Sequence, residues 1–363
     1  MDLNINLPGT PARVSRVMVG DGLGAGLPRI LSSFLGGRTD FWICDECVWS
    51  IWHERLAQWG WPEPGCGRVL LFTASEANKR LSALEDLAGR LVHAGADRGS
   101  ALIAVGGGVT GDVTGFLASI FMRGIPHFQV PTTLLAQVDS SIGGKNGVDL
   151  AEGKNLLGTF HQPDVIVMDP AFLETLPAEE FRQGMAEIIK TAMIGDAELW
   201  EYLEMHTAVL ARHDREPLEY VITACCRLKA RVVEADERES GARRLLNLGH
   251  TVGHALEKLS DYRIRHGDGV AVGMVAAARW AVRLGRLPQD VLARLERLCA
   301  AWDLPVRIPA AFSSDEILDA VHADKKRIGD TLHFILPAGI GWADDCAGLD
   351  FSGLKEVLIG MRE

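Results

Sequence analysis

Three stretches of this sequence bring together residue types that can do chemistry. His250 and His254 stand one helical turn apart in Asn247-Leu248-Gly249-His250-Thr251-Val252-Gly253-His254, and Arg265-His266-Gly267-Asp268 adds a third imidazole, so three of the 11 histidines fall close together. Taken singly, each reads as a packed histidine. Together with a buried glutamate they can form a His/His/Glu metal site with an open position, the arrangement in which zinc activates an oxygen. The zincin motif is excluded, because Thr251 stands where that motif carries its glutamate. Upstream, Glu187 and Lys190 are spaced i, i+3 in Met185-Ala186-Glu187-Ile188-Ile189-Lys190, which alone describes a surface ion pair.

The second stretch, Gly106-Gly107-Gly108-Val109-Thr110-Gly111-Asp112, follows an apolar run and leads into a helix-compatible segment. Glycines there let the backbone approach a phosphate, and a helix start offers free N–H donors. A tight turn that needs glycine for geometry alone fits equally, and the spacing is not the G-x-G-x-x-G dinucleotide fingerprint. The third stretch, Gln137 to Asn155, sets Asp139, Lys145, Lys154 and Asn155 among small residues in what reads as a loop. Lysines and an amide so placed suit a phosphorylated, hydroxyl-rich ligand, a solvated glycine-rich loop being the plain alternative. Cys44 and Cys47 form a C-x-x-C without the second pair that a structural zinc site needs, and Cys225-Cys226 reads as packing.

Hydrophobic periodicity supplies the elements that must hold these groups. Phe41 to Cys44, Val69 to Phe72, Ala101 to Val105 and Val165 to Met168 are short apolar runs alternating with helix-like segments, which predicts parallel β/α units between Val14 and Asp169. Leu81, Leu84, Leu87, Leu91 and Val92 predict a helix packed on that sheet. After Pro170, amphipathic stretches from Ala178 to Met205, Leu218 to Asp236 and Asn247 to Leu259 predict a mostly helical second half, and Thr331 to Leu336 predicts one late strand. A chain of 363 residues suggests two domains, and without a low-complexity linker they should share a cleft, where ligands commonly bind.

The formal net charge of −11, from 37 Lys+Arg and 48 Asp+Glu, disfavours general nucleic-acid binding, so an anionic ligand needs a local cationic pocket. The most apolar later stretch, Val270 to Ala278, is too short to span a membrane. Met1-Asp2-Leu3-Asn4-Ile5 carries an acid where a signal peptide needs a basic region, and an odd count of 7 cysteines without dense spacing fits reduced thiols. The expected setting is cytoplasmic, with no membrane or nucleic-acid partner.

Larger blocks then resemble a known family. Gly106 to Asp112, Met122-Arg123-Gly124, Pro131 to Ser141 (P-T-T-L-L-A-Q-V-D-S-S), Gly143-Gly144-Lys145, Gly153-Lys154-Asn155, Glu187 to Lys190, Asp236 to Glu239, Leu245 to Thr251 and His266-Gly267 run in order through almost the whole chain. They closely resemble 3-dehydroquinate synthases. The resemblance implies an N-terminal Rossmann-like NAD-binding α/β domain over 1–176 and a mostly α-helical metal- and substrate-binding domain over 177–363, in a homodimer.

Position by position, the resemblance implies that Glu187, His250 and His266 ligate Zn2+, with Co2+ a possible substitute. NAD would lie along Asp45, Glu76, Lys79, Gly108, Val109, Thr110, Gly111, Asp112, Thr132, Thr133, Lys145, Lys154, Phe172, Leu173, Glu174 and Thr175. Substrate contacts would be Asp139, Lys145, Asn155, Lys190, Lys229, Arg243, Asn247 and His254, with Lys325 a further phosphate contact and Arg123 reaching the neighbouring subunit's phosphate site. The implied reaction turns a phosphorylated sugar acid, 3-deoxy-D-arabino-heptulosonate 7-phosphate, into 3-dehydroquinate and phosphate, a step of the shikimate pathway to aromatic amino acids. It runs by transient oxidation at C5, phosphate elimination, re-reduction and an intramolecular aldol. Lys190 and His254 would shuttle the C5 proton, and Lys229 and Arg243 would hold the carboxylate. The chain departs from the usual family pattern at Cys47, Ala74-Ser75, Asn146 and Asp149. Two neighbouring readings are a sugar phosphate cyclase acting on a carboxylate-free substrate and a metal-dependent polyol dehydrogenase.

Overall fold

The computed structural model describes residues 14–239, 241–325 and 333–363, without the side chains of Asp324 and Lys325. Its first half alternates β1 (Arg16–Val19), α1 (Leu23–Leu35), β2 (Thr39–Asp45), α2 (Glu46–Gln58), β3 (Val69–Phe72), α3 (Leu81–His93), β4 (Ser100–Gly106), α4 (Gly108–Ile120) and β5 (His127–Pro131). A hairpin, β6 (Lys145–Leu150) and β7 (Gly153–Phe160), precedes β8 (Val165–Met168). The main sheet is parallel with strand order β1-β8-β5-β4-β2-β3.

Alternate side chains of each strand leave on opposite faces, so both faces need cover. Trp42 and Cys44 pack with Leu27, Leu31, Trp52 and Leu56 of α1 and α2, while Phe41 and Ile43 pack with Leu84, Leu87, Val113 and Leu117 of α3 and α4. The chain moves outward from β2 to β3, then crosses back to β4 on the other side of β2. The crevice beyond the C-terminal ends of β2 and β4 is therefore a topological switch point, where open α/β sheets bind ligands.

The second half contains α5 (Ala178–Gly195), α6 (Ala197–Leu210), α7 (Arg215–Ala235), α8 (His250–Leu259), α9 (His266–Arg283), α10 (Gln289–Ala301), α11 (Ser314–Lys325) and α12 (Ser352–Met361), with an antiparallel pair β9 (His333–Gly339) and β10 (Trp342–Ala347). Helix α9 is apolar and buried along most of its length, the character of a central core helix. It meets α8 backbone to backbone: a Cβ on Gly273 would sit 1.9 Å from the Gly249 carbonyl oxygen, and one on Gly253 would sit 2.9 Å from the Gly269 carbonyl. The largest apolar cluster is common to both halves, joining Leu134, Val138, Ile142, Ile166, Met168 and Leu173 to α5, α7 and α9.

Several sequence expectations change. The stretch expected to run as one from Ala178 to Met205 is two helices, because Asp196 leaves helical geometry and its carboxylate caps α6 by accepting from Leu199 N at 2.9 Å. The Gln137–Asn155 stretch is not a loop. It is a π-helical turn, Ala136–Ser140, followed by β6 and the start of β7, whose Gly147 and Gly158 oppose each other so closely that any side chain would strike the facing backbone. The late strand does not stop before Pro337 but continues to Gly339 and pairs with β10; Thr331 and Leu332 lie outside the described residues. All seven cysteines are free thiols. Among the described residues, no helix is long and apolar enough to cross a membrane.

Candidate active site

Glu187 and Lys190 point inward from α5 and are each only 1% exposed, so the pair expected at the surface is buried and its ion pair is formed inside the fold. His250 opens α8 and His266 opens α9, and the glycine contact between those helices brings the two imidazoles to the same Glu187 oxygen. His266 Nε2 lies 3.0 Å from Glu187 Oε1 and His250 Nε2 lies 3.6 Å from it. Each ring has its other nitrogen occupied: His250 Nδ1 donates to the Leu248 carbonyl at 3.2 Å, and His266 Nδ1 lies 3.0 Å from Glu257 Oε1. The candidate ligand atoms of Glu187, His250 and His266 all lie within 4.8 Å of one another.

The charges at this point act strongly on one another. Burial opposes charge on Glu187, but Lys190, His250 and His266 together hold its carboxyl well below the usual range. Burial and the neighbouring Lys190 hold His250 far below an ordinary imidazole, so it is neutral. Against the cost of burial, hydrogen bonds with Glu187 and Glu257 push His266 up to about 10. One carboxylate and two imidazoles whose Nε2 atoms converge are borderline donors that suit Zn2+ or Co2+, so the residues present fit such an ion.

A cationic wall adjoins this cluster. Lys229 of α7 donates to both the carbonyl and the Oδ1 of Asp139 at 2.6 Å; burial lowers the lysine's pKa, with Asp139 opposing. Arg243 is 3% exposed and donates through Nη1 to the Glu237 carbonyl at 2.5 Å and through Nη2 to the Gly143 carbonyl at 3.1 Å. Lys145 pairs with Glu239, whose other oxygen accepts from Asn247 Nδ2 at 2.7 Å. Lys79 bridges Asp112 at 2.5 Å and Asn155 at 2.7 Å, and Lys154 stands 3.0 Å from Glu76. Glu239 and Glu257 were not among the candidates read from the sequence. The signals available were the acidic run Asp236-Glu237-Arg238-Glu239 between helices and the seven-residue spacing of Glu257 from His250.

The nucleotide candidates gather along the C-terminal edge of the sheet. Asp45 ends β2 and caps α2, Glu76 and Lys79 follow β3, the glycine turn follows β4, Thr132 and Thr133 follow β5, and Phe172 to Thr175 follow β8. Packing explains one glycine: a Cβ on Gly106 would meet Thr110 Oγ1 at 2.5 Å and Asp45 Cβ at 3.1 Å. No side chain caps the N-terminus of α4, so its amides face the crevice unblocked, as phosphate binding requires. Phe172 and Leu173 turn into the core, and Trp52 Nε1 donates to Thr175 Oγ1 at 2.8 Å. His254 stacks edge-on to His250 with ring centroids 5.2 Å apart.

One candidate is not brought to this site. Arg123 lies in the turn between α4 and β5, at the opposite edge of the sheet, in left-handed geometry (φ 71°), where it lines an 820 Å³ cavity with Arg16, Arg38 and Arg98. The side chain of Lys325 lies outside the described residues.

Comparison with known proteins agrees with this architecture. The family model described as 3-dehydroquinate synthase N-terminal matches residues 69–183, and that described as 3-dehydroquinate synthase C-terminal matches 184–327. The chain is 47% identical over 275 residues to a 3-dehydroquinate synthase of Desulforamulus reducens, covering 75% of this chain and 76% of the relative. It is 42% identical over 328 residues to one of Shewanella loihica, covering 90% and 91%. Among solved structures, a 2-epi-5-epi-valiolone synthase from Streptomyces hygroscopicus subsp. jinggangensis with NAD+ and Zn2+ bound superposes with a TM-score of 0.88 at 27% identity, over 99% of both chains. A 2-deoxy-scyllo-inosose synthase complexed with carbaglucose-6-phosphate, NAD+ and Co2+ gives a TM-score of 0.83 at 29% identity, over 94% of this chain and 95% of that one. With a shared fold, a converging His/His/Glu cluster and sequence identity sustained through both halves, the chain belongs to the 3-dehydroquinate synthase family.

Proposed function

We propose that this protein converts 3-deoxy-D-arabino-heptulosonate 7-phosphate to 3-dehydroquinate and phosphate, with NAD and one divalent metal as cofactors. The observation that carries the reading is the cluster of buried Glu187 with half-buried His250 and His266, beside Lys190 and near the buried Lys229 and Arg243. The curated relatives of the same name support it.

When bound, NAD would supply a reversible hydride acceptor for C5 and the metal a Lewis acid for the oxygen there. Glu187, His250 and His266 would hold the ion. Lys190, buried against Glu187 and charged because Glu187 and Asp139 together outweigh the cost of burial, keeps a proton beside the C5 oxygen and exchanges it through His254. Lys229 and Arg243 hold the substrate carboxylate, which fixes the ring relative to the metal cluster. Lys145 and Asn155 hold the phosphate end, where Arg123 of a second subunit in a homodimer completes the cationic cage; its exposure at the far edge of the sheet fits action in trans.

Phosphate release from the heptulosonate phosphate, measured with and without added NAD, tests the reading. NAD-dependent release with no lasting rise in near-ultraviolet absorbance is expected. Net NADH accumulation without phosphate release would make the protein a dehydrogenase, and turnover of only a carboxylate-free sugar phosphate would make it another cyclase.

A further inference from the structure

Glu257 belongs to neither the ligand set nor the substrate contacts, yet it is 4% exposed and both of its oxygens face partners. Its Oε1 lies 3.0 Å from His266 Nδ1, and its Oε2 lies 3.7 Å from Lys154 Nζ, whose ammonium also sits 4.5 Å over the Tyr262 ring. A carboxylate is not buried without such compensation. A neutral imidazole keeps one N–H, and with that N–H at Nδ1 given to Glu257 the lone pair a metal can take is at Nε2, the nitrogen that lies 3.0 Å from Glu187 Oε1. His250 achieves the same orientation through the Leu248 carbonyl, a group the backbone supplies. For His266 the orienting acceptor is a replaceable side chain and carries charge.

We infer that Glu257 is a positioning residue, accepting the Nδ1–H of His266 so that its Nε2 is fixed toward the point shared by Glu187 and His250. This rests on the metal reading of the site. Because Lys154 comes from β7 and Glu257 from α8, the contact also ties the sheet side of the crevice to the metal cluster.

The test uses the full chain. Zinc affinity is measured by competition with a chromophoric chelator, and the visible spectrum is recorded after loading with Co2+. Glu257→Ala should bind zinc about 10- to 100-fold more weakly and alter the cobalt spectrum. Glu257→Gln, whose amide oxygen can still accept from Nδ1, should recover much of the affinity. Wild-type affinity in both variants, or a Gln variant as weak as the Ala variant, overturns the inference. His250→Ala is the control on the underlying reading: if it keeps its zinc, the cluster is not the metal site. His254, Glu257 and His266 also lie within ligand range of one another, so His254→Ala must retain zinc; loss there would make Glu257 a ligand rather than an orienting group.

Discussion

Arg243→Ala separates substrate recognition from scaffolding in one residue. Its hydrogen bond to the Gly143 carbonyl joins the segment before α8 to the segment before β6, and its bond to the Glu237 carbonyl closes the α7–α8 connection on itself. Charge-assisted bonds of this kind contribute about 1.5–3 kcal/mol each, so removing both should cost about 3–6 kcal/mol of stability. A second loss falls on catalysis. If the guanidinium also engages the substrate carboxylate, kcat/KM should drop by about 2–5 kcal/mol, roughly 30- to several thousand-fold. Thermal denaturation measures the first loss. Kinetics with the heptulosonate phosphate and with a carboxylate-free analogue measure the second. Arg243→Lys should recover only part of either, because an ammonium lacks the planar fork. The expected pattern is a lowered melting temperature, a large kinetic loss with the carboxylated substrate and a small one with the analogue. Equal losses with both substrates would refute carboxylate recognition and leave Arg243 as a strut.

In metal-free protein His266 is raised from 6.5 to about 10 while His250 is held neutral, so zinc uptake at neutral pH should expel about one proton and tighten about tenfold per pH unit. Calorimetry in buffers of different ionisation enthalpy counts that proton; a pH-independent affinity contradicts the protonation of His266. The same raised value means that its contribution to metal-free stability is complete below about pH 6.5 and lost as the pH rises through about 10, which melting curves of wild type and His266→Ala will show. For the dimer, mixing inactive Arg123→Ala with inactive His254→Ala should restore part of the activity through hybrid sites; no recovery despite demonstrated subunit exchange excludes Arg123 from a partner's site.

The parallel sheet was legible where strands were long and buried on both faces, as in Ala101 to Val105, because burial writes a continuous apolar run. It was illegible at β6 and β7, where glycines and polar residues face one another and pairing rests on backbone geometry. His250 and His254 were visible by their spacing on one helix, and His266 by its nearness to them in sequence. Glu187 was not readable as their partner from periodicity, since an i, i+3 Glu–Lys pair looks the same at a surface as in a core, and only tertiary packing distinguishes them. Glu257 and Glu239 act through contacts that join distant segments, Glu257 to Lys154 and Glu239 to Lys145, and local sequence carries no trace of such pairings.

The glycine contact between α8 and α9 makes the bite of the metal site a property of the main chain. Side chains can hop rotamers and cores can be repacked with modest loss, but carbonyl against Cα leaves no slack to redistribute. Substitutions elsewhere in the helical half can therefore alter how stable the protein is without altering how far His250 stands from His266. Drift in the lining of the crevice can retune the substrate over an ion whose seat stays fixed, provided that Gly249, Gly253, Gly269 and Gly273 keep their places.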